Sequence, residues 1–330
     1  MINAHGPNAR SRPAGGTYSR RTLLAGTAAL AAASALPGCA PPENQTGQLD
    51  KVWGRRGTRP GLLNKPRGIA VDKDDNLYII DFTPRIHVFT PDGEFLRGWQ
   101  TPHFANGRPQ GVSFDQDGDL LIADTHYCQV LAYKTDGTLI PEKQIGGTYG
   151  HGPDEFEWIT DCVQDERGNY FISSYGDFDQ IHMLGPNREF RKFVGKKGSG
   201  PGEFRVPRKM AVSGEGLLYV ADACNHRIQV FDPSGDQARL VRMWGEEGYA
   251  PGQLRYPYHL ILDGQGSVYV CEYGNHRVQK FTSEGVLVGW WGVNGVQPGE
   301  LRQPWGIARD SRSRMYVLDS YNHRVQRFWL

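Results

Sequence analysis

The sequence predicts an all-β fold, a six-bladed β-propeller whose last blade is closed by the N-terminal strand. One phrase recurs almost letter for letter: GLLYVADACNHRIQVF at 216–231, GSVYVCEYGNHRVQKF at 266–281 and SRMYVLDSYNHRVQRF at 313–328. A proline, an apolar run and usually an aspartate open every unit. The starts are Pro66, Pro109, a decayed Ile159, Pro207, Pro257 and Pro304, spaced 43, 50, 48, 50 and 47 residues apart. That period suits four short strands with turns, and each unit can bury its apolar face only against its neighbours.

Within a unit, the opening run leads to a turn such as Asp115-Gln116-Asp117-Gly118-Asp119 or Asp165-Glu166-Arg167-Gly168-Asn169, then to a second run rich in Val, Ile and Tyr. A third strand, IQVF or VQKF, is followed by Asp232-Pro233-Ser234-Gly235 or Ser283-Glu284-Gly285, whose Pro and Gly preset turn dihedrals, and by a fourth strand ending in Trp-Gly. The sixth unit stops at Leu330 after its third strand, while Gln48 to Gly54 reads as a fourth strand without its first three. Joining the two closes the ring and removes two free sheet edges.

Asn225-His226-Arg227, Asn275-His276-Arg277 and Asn322-His323-Arg324, with PRGIAVD at the first start and LYVAD in the second strand, resemble the NHL repeat, which implies the same six-bladed ring over residues 48–330. Blades one to three depart from the triplet with Thr83-Pro84-Arg85, Tyr127-Cys128-Gln129 and Phe178-Asp179-Gln180. The histidines of the triplets read as scaffold.

Residues 1–38 read as a twin-arginine signal peptide, with Ser19-Arg20-Arg21-Thr22-Leu23-Leu24 ahead of an Ala/Leu run too short and alanine-rich for a spanning helix. Leu36-Pro37-Gly38-Cys39 resembles a lipoprotein cleavage box, so Cys39 is the expected lipidation site and residues 39–47 a short tether. The expected location is the periplasm or outer cell envelope, with membrane contact through the N-terminal lipid only. Without residues 1–38, which hold Arg10, Arg12, Arg20 and Arg21 and no acid, the 37 basic residues become 33 against 36 acidic ones, disfavouring a nucleic-acid partner.

Cys162 and Cys271 sit inside strand patterns and read as buried apolar residues, while Cys128 and Cys224 fall in loops after second strands. There is no GxSxG, HExxH, phosphate loop or dinucleotide fingerprint. The glycine-rich segments 195–202 and 292–299 recur at blade junctions and read as connectors.

Topology brings the residue after each start to one mouth of the central channel: Arg67, Gln110, Thr160, Arg208, Tyr258 and Trp305. The next position is glycine in three blades (Gly68, Gly111, Gly306) but Asp161, Lys209 and His259 in the others. A repeat that breaks its own rule marks a candidate site. The nine non-glycine residues form the candidate binding face, unless Asp161, Lys209 and His259 serve only as a mutually paired polar plug. His103, His126 and His151 are placed on the same face. Asp81, Asp124, Asp222, Glu272 and Asp319 end the second strands; they could converge on calcium, but pairing with a triplet arginine and loop amides is the favoured reading, and no metal site is assigned to them.

Peptidyl-hydroxyglycine lyases are similar in fold and imply zinc held by histidines directly after the start prolines; none of the six positions here is histidine. Lactonase-type and streptogramin-lyase propellers share the ring. The expected function is therefore a binding module for an extracytoplasmic protein, peptide or glycan, without a resident cofactor. A zinc- or calcium-dependent lyase or lactonase using the same mouth is the alternative.

Overall fold

In the computed structural model, residues 46–330 apart from Gly107 are described. The predicted leader, Cys39 and the tether up to residue 45 lie outside them, while Thr46, at the end of the tether, donates its backbone N–H to the Trp290 carbonyl at 3.1 Å. Six four-stranded antiparallel sheets form the ring. Blade 1 runs Pro66–Val71, Leu77–Asp81, Arg85–Phe89 and Phe95–Gln100; blade 2 runs Gly111–Phe114, Leu120–Asp124, Gln129–Tyr133 and Ile145–Gly146. Blade 3 runs Trp158–Gln164, Tyr170–Tyr175, Gln180–Leu184 and Phe190–Val194; blade 4 runs Pro207–Val212, Leu218–Asp222, Arg227–Asp232 and Arg239–Trp244. Blade 5 runs Pro257–Leu262, Ser267–Glu272, Arg277–Thr282 and Leu287–Trp291. Blade 6 takes Ile307–Arg309, Met315–Asp319 and Arg324–Trp329 from its own unit and Gln48–Trp53 as its outer strand. The predicted closure is thus observed, with Leu49 opposite Phe328 and Trp53 opposite Val325.

Among the described residues the core is divided into six apolar clusters, one between each pair of neighbouring blades. Tyr78, Ile80, Ile86 and Val88 of blade 1, for example, pack on Val112, Leu120, Ile122 and Leu131 of blade 2. The second strands are buried over all, or all but one residue, of their length, which is why they read as largely apolar runs. Cys128, Cys162, Cys224 and Cys271 are all free, and the first, second and fourth are buried.

Polar groups fasten the blades to one another. In blade 4, Asp222 accepts Arg227 Nε at 2.8 Å, Asn225 Nδ2 at 2.8 Å and the Arg205 backbone N–H at 2.8 Å. The Arg227 guanidinium then donates to the carbonyls of Ser199, Gly200 and Glu203 in the preceding junction. Blades 5 and 6 repeat the set around Glu272–Arg277 and Asp319–Arg324, and blade 1 around Asp81–Arg85. The triplet histidine reaches the other way: Nδ1 of His226, His276 and His323 accepts the backbone N–H of Tyr256, Gln303 and Lys65. Each recipient precedes a start proline and sits at positive φ, 49°, 47° and 47°. The triplet histidine thereby stabilises a backbone conformation that non-glycine residues seldom adopt. In blade 3, where the triplet lacks histidine, Asp179 Oδ2 accepts the Val206 N–H at 2.8 Å in its place.

These ties carry a stability test. Arg277→Leu leaves Glu272 as a buried, uncompensated charge and is expected to cost about 3 kcal/mol or more. Replacing the exposed Arg312 by Leu should change stability by less than about 0.5 kcal/mol. Urea unfolding that ranks the two variants equally would refute the role given to the tie.

Candidate functional site

In four of the blades, 1, 3, 4 and 5, the first strand does not pair evenly with the second. The register slips between Pro66 and Gly68, between Ile159 and Asp161, between Pro207 and Met210 and between Pro257 and His259. Such a bulge re-aims a side chain and relieves the proline of donating to the ladder. The bulged stretches contain Arg67, Thr160, Arg208 and Tyr258, which converge with Gln110 and Trp305 around a narrow mouth of about 20 Å³. All six post-start positions therefore meet, and Lys209 and His259 form the floor.

Beneath the mouth, Lys209 crosses the channel from blade 4, donating to Asp161 Oδ1 at 2.8 Å and to the Val112 carbonyl of blade 2 at 3.0 Å. Asp161 Oδ2 accepts the Met210 N–H at 3.0 Å. Burial pushes the Asp161 carboxyl up while the Lys209 ammonium pulls it down. His259 is buried beside them; desolvation, then repulsion by Lys209, holds its pKa well below the usual range, and its Nδ1 has no hydrogen-bond partner. The glycines opposite make room: a Cβ at Gly111 would lie 2.6 Å from Asp161 Oδ1, and one at Gly68 2.5 Å from the Gln110 carbonyl oxygen. Asp161, Lys209 and His259 thus plug the channel, with a separate opening of about 420 Å³ on its other side lined chiefly by apolar first-strand residues.

The mouth itself is cationic and aromatic. Arg67 lies 4.6 Å from the Phe82 ring and 4.9 Å from Trp305, and Arg208 lies 4.7 Å from Tyr258 and 5.3 Å from Tyr175. Arg108 stands over Phe82 and Lys65 over Tyr321. Tyr258 stacks on Tyr273 and meets Trp305 edge-on. Among the described residues no carboxylate forms an ion pair with any of these four cations. Arg208 donates to Gln110 Oε1, while the Nε atoms of Arg67 and Arg208 are buried without an acceptor. Burial, with repulsion from Arg108 and Arg208, lowers the Arg67 pKa to about 10. Arg108, Lys65, Phe82, Tyr175, Tyr273 and Tyr321 were missed in the sequence; the signal was a basic residue before two of the start prolines and an aromatic at or just past the end of the second strands.

The remaining candidates do not join this cluster. Asp81, Asp222, Glu272 and Asp319 are each held by an arginine of their own blade and an amide of the preceding junction, so the carboxylates do not converge on an ion. The zinc geometry of a channel enzyme does not fit either: His259 is the one imidazole there among the described residues, and its neighbour is an ammonium. His126 is exposed on the rim, its pKa lowered by desolvation, Arg108 and Arg67. His103 packs against Tyr127, and His151 lies on blade 3 against Phe178.

Asp124 is the exception in the acidic set. Its blade carries Gln129 where blades 1, 4, 5 and 6 have arginine, the Gln129 Nε2 is 3.4 Å away, and Oδ1 is buried without a partner. Desolvation raises its pKa from 3.8 to about 6. A folded pKa above the unfolded one means that the proton's contribution to stability is complete below about pH 4 and lost as pH rises through 6. Asp124→Asn, which mimics the protonated acid, is expected to stabilise the protein at pH 7.5 by roughly 3 kcal/mol at most. At pH 4 the gain should vanish; an equal gain at both values in urea unfolding would contradict the assignment.

The NHL repeat model matches residues 204–231 and 301–328. NHL repeat-containing protein 3 of Mus musculus is 30% identical over 50% of this chain and 51% of its own length. Peptidyl-glycine alpha-amidating monooxygenase A of Xenopus laevis is 34% identical over 55% of this chain and 19% of its own length. The chain thus spans about half the length of the first of these relatives, and less of the second. Virginiamycin B lyase from Staphylococcus aureus superimposes with a TM-score of 0.60 at 11% identity, over 86% of this chain and 99% of that one, a likeness of fold. The chain is a six-bladed β-propeller, two segments of which, residues 204–231 and 301–328, match the NHL repeat.

Proposed function

We propose that this NHL propeller is an exported binding module, tethered to the cell envelope through Cys39, whose channel mouth captures the terminal carboxylate of a peptide. The observation that supports it most is the set of four cations, Lys65, Arg67, Arg108 and Arg208, gathered in an aromatic frame without a carboxylate partner. A planar anion placed there accepts from the orphaned guanidinium groups and relieves their mutual repulsion. The mouth has room for a small head group only, so the rest of the ligand lies across Tyr258, Tyr273, Trp305 and Tyr321. The peptidyl-glycine of the relative's name favours a peptide end over other carboxylates. Twin-arginine and lipobox-like segments in residues 1–39 support export and anchoring.

Calorimetric titration with paired peptides, one ending in a free carboxylate and one amidated, tests the reading. The free acid is expected to bind at least tenfold more tightly, and Arg67→Ala and Arg208→Ala each to lose about 1.5–3 kcal/mol, roughly 10- to 150-fold in Kd. Neither arginine holds a buried acid, so both variants should melt within a few degrees of the parent. Equal affinity for acid and amide would overturn the proposal.

A further inference from the structure

Blade 3 breaks the repeat in a concerted way. In the other blades the second strand ends in a carboxylate, and the residue two before the start is Asn64, Arg205, Arg255 or Arg302 where the junction follows the common pattern. In blade 3 the two roles are exchanged: Ser174 ends the strand, and Glu157 supplies the acid from the junction. Glu157 is 2% exposed, and its carboxylate accepts the backbone N–H groups of Asp177 at 2.6 Å and Phe178 at 2.8 Å. The triplet arginine is gone as well, replaced by Gln180, so no guanidinium joins the junction carbonyls to this acid.

Two further ligand-bearing side chains gather at that place. His151 Nε2 lies 3.2 Å from Glu157 Oε1, and the ligand atoms of His151, Glu157 and Asp177 all lie within 4.8 Å of one another. The His151 ring packs 4.4 Å from Phe178, which orients it, and Tyr149 Oη stands 3.5 Å from Glu157 Oε1. Lys197 donates to the Gly176 carbonyl at 2.7 Å, and among the described residues no lysine or arginine forms an ion pair with Glu157 or Asp177.

We propose that His151, Glu157 and Asp177 form a divalent transition-metal site of the zinc class on the rim of blade 3, the ion making the junction-to-loop tie that arginine makes elsewhere. One imidazole with two carboxylates is a borderline donor set suited to zinc. Zinc–ligand bonds of about 2.0–2.2 Å in a tetrahedron put ligand atoms ~3.3–3.6 Å apart. The His151–Glu157 pair is already near that spacing, and the exposed Asp177 closes by rotation of its side chain. The two backbone amides on Glu157 act as the outer shell that fixes a ligating carboxylate. Three protein ligands leave a fourth position for water or a donor from a bound partner.

Blade 2 supplies a contrast within the same molecule. Asp115, Asp117 and Asp119 also lie within 4.8 Å of one another, but Lys143 Nζ bonds all three at 2.8, 2.7 and 2.5 Å, so an ammonium stands where an ion would. Blade 3 gathers its ligands without such a cation.

The test is competition titration of zinc into the chelator-stripped, tag-free full chain against a chromophoric chelator, with His151→Ala and the isosteric Asp177→Asn alongside. The wild type is expected to take up one equivalent that both variants lose, with Kd raised at least 30-fold in His151→Ala. Zinc should raise the Tm of the wild type and leave that of the variants unmoved, while all three melt alike without metal because His151 and Asp177 are exposed. Zinc binding undiminished in both variants, or calcium bound as tightly as zinc, would overturn the assignment.

Discussion

A buried acid tied to an arginine of its own blade is the interaction that fixes four of the six blades, 1, 4, 5 and 6, in the ring. Each such carboxylate is removed from water, and alone it would cost more than a blade can supply; the guanidinium and the surrounding amides compensate it. The same guanidinium spends its other donors on the junction carbonyls, so one charge pair fixes both the end of a strand and the connector from the preceding blade. The Nδ1 of the triplet histidine then holds the residue before the next proline at positive φ, and so sets the position at which that blade's bulge begins. Packing between the blades supplies the bulk of the burial, but these polar ties determine where the channel-facing side chains point.

That coupling explains how a mouth with unsatisfied cations can persist. Arg67 and Arg208 leave the chain at bulges whose position is set from outside the channel, so both side chains start out toward the mouth. The plug of Asp161, Lys209 and His259 closes the channel behind them and binds its own charges, leaving the field of the arginines directed outward. Stacking on Phe82, Tyr175, Tyr258 and Trp305 offsets part of the cost of holding the guanidinium groups together, without neutralising them.

Much of this was legible in the sequence because its causes are local. Turn dipeptides, start prolines and the Asn-His-Arg triplets sit at fixed spacing, and the blade count, the strand closure and the convergence of Arg67, Gln110, Thr160, Arg208, Tyr258 and Trp305 follow from topology alone. The character of the mouth did not, because its aromatic frame draws on residues at or just past the ends of the second strands of four different blades, which no single repeat displays. Lys143 was invisible for a similar reason: a short helical turn after the third strand of blade 2 carries it back to Asp115, Asp117 and Asp119. The transfer of the blade 3 acid from position 174 to position 157 looked like decay of the repeat, since the pattern shows a missing letter but not its replacement on the far side of the contact. Asp124 looked like any other member of the acidic set, and only the neighbour it lacks distinguishes it.

The central claim is that two particular arginines, unlike those of the blade ties, wait for an anion. Nuclear magnetic resonance of the arginine Nε–H groups during titration with acetate separates the two populations directly. The account predicts that the Arg67 and Arg208 signals shift and become protected from exchange, while those of Arg227, Arg277 and Arg324, already bonded to carboxylates, stay where they are. Signals of all five that move together, or Arg67 and Arg208 signals that do not move, would contradict it.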